Sequence, residues 1–228
     1  MNALDMTEKK KTDADDSRLV RAAKDGNLAA FERLVTSNER RIYGLARRIT
    51  GSDEDAEDVT QQTFLSAMQN LSSFRESAAF STWLTTIAVN AALKIVRKRQ
   101  GLPTTSLDEA TKPDVDRRIP HPEYIADWRQ NPEQLVQNRE TRRILDSAIA
   151  ELDPGLRAVF LLRDVENLSV KDTANALHLK ESNVKVRLLR ARLKLREKLT
   201  LLFGDPDHRY LPAEHNNHKI SHLTGART

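Results

Sequence analysis

The chain contains no cysteine, which excludes a disulfide framework, a thiolate metal site and a cysteine nucleophile, and makes a reducing cytoplasm a sufficient home. Aromatic residues make up only 5% of it and glycines number 7. That scarcity argues against a barrel, a sandwich or a glycine-rich nucleotide fold and leaves a mostly helical chain as the expectation. No stretch approaches the roughly 18 consecutive apolar residues that a membrane span needs. The opening MNALDMTEKKKTDADD carries lysines with no apolar segment behind them, so it does not read as a secretory signal. A soluble, cytoplasmic protein is expected; its 228 residues suffice for one large domain or two small ones.

Charge is what the chain has in quantity. Its 37 basic and 33 acidic residues nearly cancel, for a net +4, so placement says more than the sum. Asp53, Glu54, Asp55, Glu57 and Asp58 form an acidic run without a basic residue, whereas Lys94, Arg97, Lys98 and Arg99 are all basic. Between Lys180 and Lys198, eight basic residues stand against Glu181 and Glu197. A pI near 9.4 thus comes from two separate basic helices, a pattern that points to nucleic acid.

Residues 1–16 are polar and unpatterned and are expected to be a disordered arm. Over residues 17–100 apolar side chains recur at three and four residues: Leu19, Ala22 and Ala23; Phe31, Leu34 and Val35; Ile42, Leu45, Ala46 and Ile49. This predicts amphipathic helices ending near Gly26 and Gly51. Val59, Phe64, Ala67, Met68 and Leu71 mark another helix, and Phe80, Leu84, Ile87, Ala91 and Ile95 the next. Over residues 101–131 the period dissolves among Pro103, Pro113, Pro120 and Pro122, which reads as a flexible linker. A second helical block spans 132–202, opening at Asn131-Pro132-Glu133, and residues 203–228 read as a polar, mobile tail. No strand pattern is evident. The expected fold is all-α, two small helical domains joined by a flexible linker.

The end of the second block has a particular order. A short helix capped by Ser169, with Asp172 three residues on, carries the apolar stripe Val170, Ala174 and Leu177. A tight turn at residues 178–180 leads into a long basic helix whose inward face is Val184, Leu188, Ala191 and Leu195. A DNA-binding helix-turn-helix requires this spacing, because its second helix must reach into a major groove about 12 Å wide. Lys185, Arg187, Arg190 and Lys194 are placed on the outward side. Asn183 and Lys185 are candidates for base edges, Val186 for a thymine methyl, and Arg187 and Arg190 for bases or phosphates. A solvated basic helix in an ordinary bundle is the plainer alternative.

Taken together, DAEDVTQQTFLSAMQNL and SSFRESAAFSTWLTTIAVNAALKIVRKR, residues 55–99, resemble region 2 of the sigma-70 family in its extracytoplasmic-function group. LDPGLRAVFLLRDVENLSVKDTANALHLKESNVKVRLLRARLKLR, residues 152–196, is similar to that family's region 4 helix-turn-helix. The resemblance implies a promoter-specificity subunit of bacterial RNA polymerase, with no catalytic residue, cofactor or metal of its own. Implied partners are core RNA polymerase, promoter DNA and an inhibitory anti-sigma factor. Asp58, Gln61 and Gln62 match positions that contact the polymerase clamp, and their i, i+3, i+4 spacing puts them on one face. The helix from Phe80 matches the element that reads and melts the minus-ten sequence. Thr86, Asn90, Lys94 and Arg97 share one polar stripe of it, opposite Phe80, Leu84, Ile87 and Ala91. An amide can bond a base edge and a cation can hold phosphate. Residues 72–79 match the loop of a pocket for a flipped base, where Phe74 and Arg75 are in position to help. Asn183, Lys185, Val186, Arg187, Arg190 and Lys194 lie on the last helix of the segment that resembles region 4, which implies that this helix reads the minus-thirty-five element. Lys185 stands where arginine is common and Val186 where small polar residues are, so the promoter sequence does not carry over.

Several residues admit two uses. Trp83 is a base platform or core, and Tyr124 and Trp128 are polymerase anchors or a local cluster. The acidic run as a magnesium site is disfavoured, since adjacent carboxylates on a helix splay apart. Among His208, His215, His218 and His222 the last three suit zinc by spacing, but Pro206, Pro212 and Gly225 favour a disordered or partner-binding tail. Two rivals remain. A stand-alone helix-turn-helix regulator would use its N-terminal domain as sensor or dimerisation unit. A metal-dependent nuclease finds no P-loop, HExxH or nucleophile elbow to stand on.

Overall fold

The computed structural model describes residues 15–76, 78–101, 125–128 and 139–210. The expected N-terminal arm up to residue 14, most of the linker and the tail beyond 210 lie outside them. So do the side chains of Tyr124, Trp128 and all four tail histidines.

Helix α1 covers residues 15–24, followed by α2 (Leu28–Thr50), α3 (Asp53–Asn70) and α4 (Phe80–Arg99). Three of these boundaries have a local cause. The Asn27 side chain accepts the Ala30 amide at 3.1 Å and starts α2, while Gly51, at φ +75°, ends it with its N–H on Arg47 O at 2.9 Å. Ser52 then caps α3 by accepting the Asp55 amide at 3.3 Å. Asp53, Glu54 and Asp55 fill its first turn, where they complement the positive end of the helix dipole. Part of the acidic run is therefore accounted for by helix initiation.

These helices enclose one apolar core in which Val20, Leu34, Ile42, Phe64, Leu71, Phe80, Leu84 and Ala88 are all buried. Burying a leucine the size of Leu34 or Leu84 contributes about 1.5–3 kcal/mol. The buried face of α4 is Phe80, Leu84, Thr85, Ala88, Val89, Ala92, Leu93 and Val96. That corrects the expected stripe: Ile87 and Ala91 lie at its half-buried edge and Ala88 and Ala92 at its centre. The small alanines let α4 pack closely against α2 and α3, and the bulkier Ile87 is displaced to the margin.

The described residues form two compact units. The first unit holds α1 to α4 together with Leu161–Glu181, which contains a π-helical turn (Leu161–Val165) and α7 (Val170–Leu177). Within it Arg41 joins α2 to α4, donating to Thr85 Oγ1 (2.8 Å), Ser81 O (3.1 Å) and Asn38 Oδ1 (3.3 Å), and pairs with Glu166 at 2.5 Å.

The second unit holds α5 (Arg139–Ala150), α6 (Pro154–Phe160) and the chain from Ser182, which is nearly all of α8 (Glu181–Phe203). The Arg157 guanidinium donates to Leu152 O at 2.9 Å and also to Ala150 O, closing the turn after α5. Burial holds its pKa below the usual arginine value. This unit adds an element that the sequence pattern did not announce. Strands β1 (Ile125–Trp128) and β2 (Gly204–Tyr210) pair antiparallel, with Ile125 opposite Tyr210 and a bulge between Ala126 and Trp128. The expectation of no strand is thus corrected, although the fold remains all-α in class. β2 contains Gly204 and Pro206, residues that weaken a strand pattern and sit at bulges and edges.

Candidate nucleic-acid interface

On α4 the side opposite the core carries Thr86, Asn90, Lys94 and Arg97. Asn90 and Lys94 are exposed, and Thr86 and Arg97 half-buried. The Asn90 amide nitrogen donates to Thr86 O at 2.9 Å, and the Thr86 hydroxyl to Thr82 O at 3.1 Å. Both side chains therefore lie along their own helix, held in one row above the basic last turn of Arg97, Lys98 and Arg99.

Ahead of this helix a 3₁₀ turn (Leu71–Ser73) opens into the loop at residues 74–79. Phe74 does not present its ring to solvent as a base contact would require; it is only 6% exposed. Its ring meets Phe80 edge-on at 5.9 Å and Trp83 at 4.9 Å between centroids. Aromatic packing of this kind gains more from the core than from an open loop, which corrects the placing of Phe74 as a direct DNA contact. Trp83 belongs to the same cluster and is partly buried against the core. Arg75 is exposed. Behind the loop lies a cleft of about 320 Å³, lined by Ser73, Phe74, Arg75, Thr82, Trp83 and Thr86, with Asp172 and Asn175 of α7 also on its wall.

On α3 the side chains of Asp58, Gln61 and Gln62 are all exposed, as one shared face requires. Gln61 borders a groove of about 560 Å³ between α2 and α3 whose apolar wall includes Phe31, Phe64, Leu65 and Met68. Leu65 and Met68 are 49% and 51% exposed, large apolar groups that the sequence pattern had assigned to the core or passed over. The acidic run does not converge. Asp53 accepts from Arg47 Nε at 2.5 Å and from the Tyr43 hydroxyl at 2.9 Å, and Asp55 pairs with Arg99 at 2.5 Å. The bond from Arg47, then that from Tyr43, holds the Asp53 carboxyl below the usual carboxylate range. The same contact pushes the Tyr43 phenol up. Among the described residues no three acidic or histidine side chains gather as a metal site would need.

The order helix, turn, helix is present at α7 and α8. Ser169 Oγ accepts the Asp172 amide at 3.0 Å and donates to Asp172 Oδ2 at 2.6 Å, a cap in which the acid holds the hydroxyl rather than the backbone. His178 takes the left-handed conformation, φ +55°, and ends α7, with the Leu179 amide on Ala174 O at 2.9 Å. On α8, Val184, Leu188, Ala191 and Leu195 are buried as expected. Lys185, Val186 and Lys194 are exposed, and Asn183 and Arg190 half-buried.

Arg187 departs from expectation: it is 8% exposed and lies in the buried stripe. Its spacing explains this, three residues after Val184 and four before Ala191, where a helix brings the three onto one face. Its charge suggested an outward position; its register places it inward. Leu189, 41% exposed, was not singled out and stands on the outer side beside Val186.

Fold and surface together define a helical protein that presents two separate polar and basic helix faces, the kind that meets nucleic acid. Comparison makes this specific. Residues 34–101 match the family description Sigma-70 region 2, and residues 142–195 match Sigma-70 region 4. The chain is 33% identical to the ECF RNA polymerase sigma factor SigM of Mycobacterium tuberculosis, over 79% of this chain and 82% of that protein. It is 31% identical to SigW of Bacillus subtilis, over 79% and 94%. Against SigE of Mycolicibacterium smegmatis it is 32% identical and spans 62% of that protein's length. A solved structure of CnrH in complex with the cytosolic domain of CnrY matches with a TM-score of 0.56 at 26% identity, over 82% of this chain and 98% of that one. The sigma factor RpoE bound to the anti-sigma factor NepR, from Bartonella quintana, gives 0.54 at 21% identity, over 75% and 97%, and shows the fold alone.

The chain belongs to the extracytoplasmic-function group of the sigma-70 family. It is a sigma factor, which directs RNA polymerase to promoters and begins transcription, and sigma factors are non-catalytic. Because region 2 matches as well as region 4, a stand-alone helix-turn-helix regulator is not favoured.

Proposed function

We propose that this sigma factor divides promoter recognition between two helices. The exposed side of α8, through Asn183, Lys185, Val186, Arg190 and Lys194, reads the minus-thirty-five duplex. The row Thr86, Asn90, Lys94 and Arg97 on α4, with Arg75 of the loop, captures the minus-ten strand as it opens. Phe74 acts as the floor of the loop and Arg187 as packing within α8, not as contacts. Core polymerase docks on the Asp58, Gln61 and Gln62 face. An anti-sigma factor holds the protein inactive; the sigma factor RpoE of Bartonella quintana is bound to one, NepR, in its solved complex. The chain performs no chemistry itself and works in the cytoplasm beside polymerase.

The observation that carries this reading is the α4 row. An exposed amide and an exposed cation, Asn90 and Lys94, with the half-buried Arg97 beyond them, stand on one side of a helix next to an aromatic-floored loop, the donors and charges that an unstacked strand needs. Flipping a base costs a few kcal/mol, which such contacts repay. Run-off transcription with purified core polymerase on genomic fragments tests it. Specific initiation is expected, and Asn90→Ala should impair open-complex formation more than initial duplex binding. Equal loss of both steps would remove Asn90 from the opened strand.

A further inference from the structure

Among the described residues of the loop at 74–79, Phe74, Arg75 and Glu76 belong to no helix or strand, so something must hold them. Between the 3₁₀ turn and α4 its backbone is extended at Phe74, and a carbonyl there needs a donor from elsewhere. That donor comes from α1. Lys24 Nζ donates to Phe74 O at 2.7 Å and lies 5.5 Å from the centroid of the Phe74 ring. One turn earlier, Arg21 reaches the same loop and bonds Glu76 through Nη2 at 3.1 Å and Nε at 3.4 Å. The helix delivering these groups is fixed: Val20 is fully buried in the core cluster, and Leu19 and Ala23 pack against it.

We infer that Lys24, assisted by Arg21, is a positioning residue for strand capture. It holds the loop in the shape that receives the unstacked base, without touching DNA itself. The inference rests on the proposed role of this loop and of α4. The two contacts are unequal. All three side chains are exposed, and screening weakens the Arg21–Glu76 ion pair, whereas the Lys24 ammonium bonds the backbone carbonyl of the buried Phe74 at a part-buried site and lies over its ring. Lys24 therefore carries most of the effect. A loop left without its anchor must be ordered at the moment of capture, and that cost falls on opening rather than on duplex binding.

The test is stopped-flow fluorescence of 2-aminopurine placed in the minus-ten element, with holoenzyme reconstituted from core polymerase and the full chain. Lys24→Met keeps the aliphatic stem and removes donor and charge. It should slow opening about fivefold while core affinity and minus-thirty-five binding stay unchanged. Lys24→Arg, which restores both, should return to within about twofold of the unaltered protein. Opening at the original rate in Lys24→Met, or Lys24→Arg as slow as Lys24→Met, overturns the positioning role. If the unaltered holoenzyme initiates without any change in 2-aminopurine signal, the minus-ten reading itself fails, a result distinct from either of those.

Discussion

At the scale of single residues, burial separates groups that the sequence presents alike. Lys185, Arg187 and Lys194 are three cations within ten residues of one helix, yet only Arg187 is buried. Arg187→Met should therefore lower the melting temperature and leave the salt dependence of promoter binding unchanged. Lys194→Ala should do the reverse, weakening binding evenly across sequences and reducing the salt slope by about one. Lys185→Ala should cost ~1–3 kcal/mol on the preferred minus-thirty-five sequence and relax the preference. Binding measured over a salt series, with thermal melts of the same variants, distinguishes the three. Asp53 offers a test of the α2–α3 corner. Its depressed pKa means its contribution to stability is complete above the ordinary carboxylate pKa and is lost as pH falls through the folded value. Carbon-13 NMR should find that carboxyl below its usual range and find it raised in Arg47→Met, since the Arg47 bond is the larger cause.

At the scale of elements, the caps decide where helices stop, and two of them are left-handed residues. Nothing lies within 4 Å of where a Cβ would sit on Gly51, so Gly51→Ala should cost about 1–2 kcal/mol from backbone strain alone. His178→Val puts a β-branched side chain at φ +55° in the turn between α7 and α8, and should cost a similar amount together with minus-thirty-five affinity. Melting curves and duplex binding check both.

The ends of α2 and α7 were legible because glycine, serine and the turn spacing act locally. The phase of α4 was less so. Ile87 and Ala88 are both apolar neighbours, and only the close approach of α2 and α3 decides that the smaller one faces inward. Phe74 reads from sequence as an exposed loop aromatic because its partners Phe80 and Trp83 lie on the next element. Lys24 gives no local sign of its role, since the carbonyl it holds lies 50 residues further along the chain.

At the scale of the whole molecule, the order region 2 then region 4 was legible because two long motifs stand in sequence, and they are specific in combination. The ribbon of β1 and β2 was not, because pairing between segments almost 80 residues apart leaves no period in either one, and Pro206 argues against a strand locally. In the proposed function, duplex reading on α8 is separate from strand capture on α4. Run-off transcription on two templates, one a closed promoter and one already unpaired across the minus-ten element, tests it most directly. Pre-opening should restore activity to Asn90→Ala and leave Lys185→Ala impaired. If pre-opening restores both variants, or neither, the two helices do not divide the task in this way.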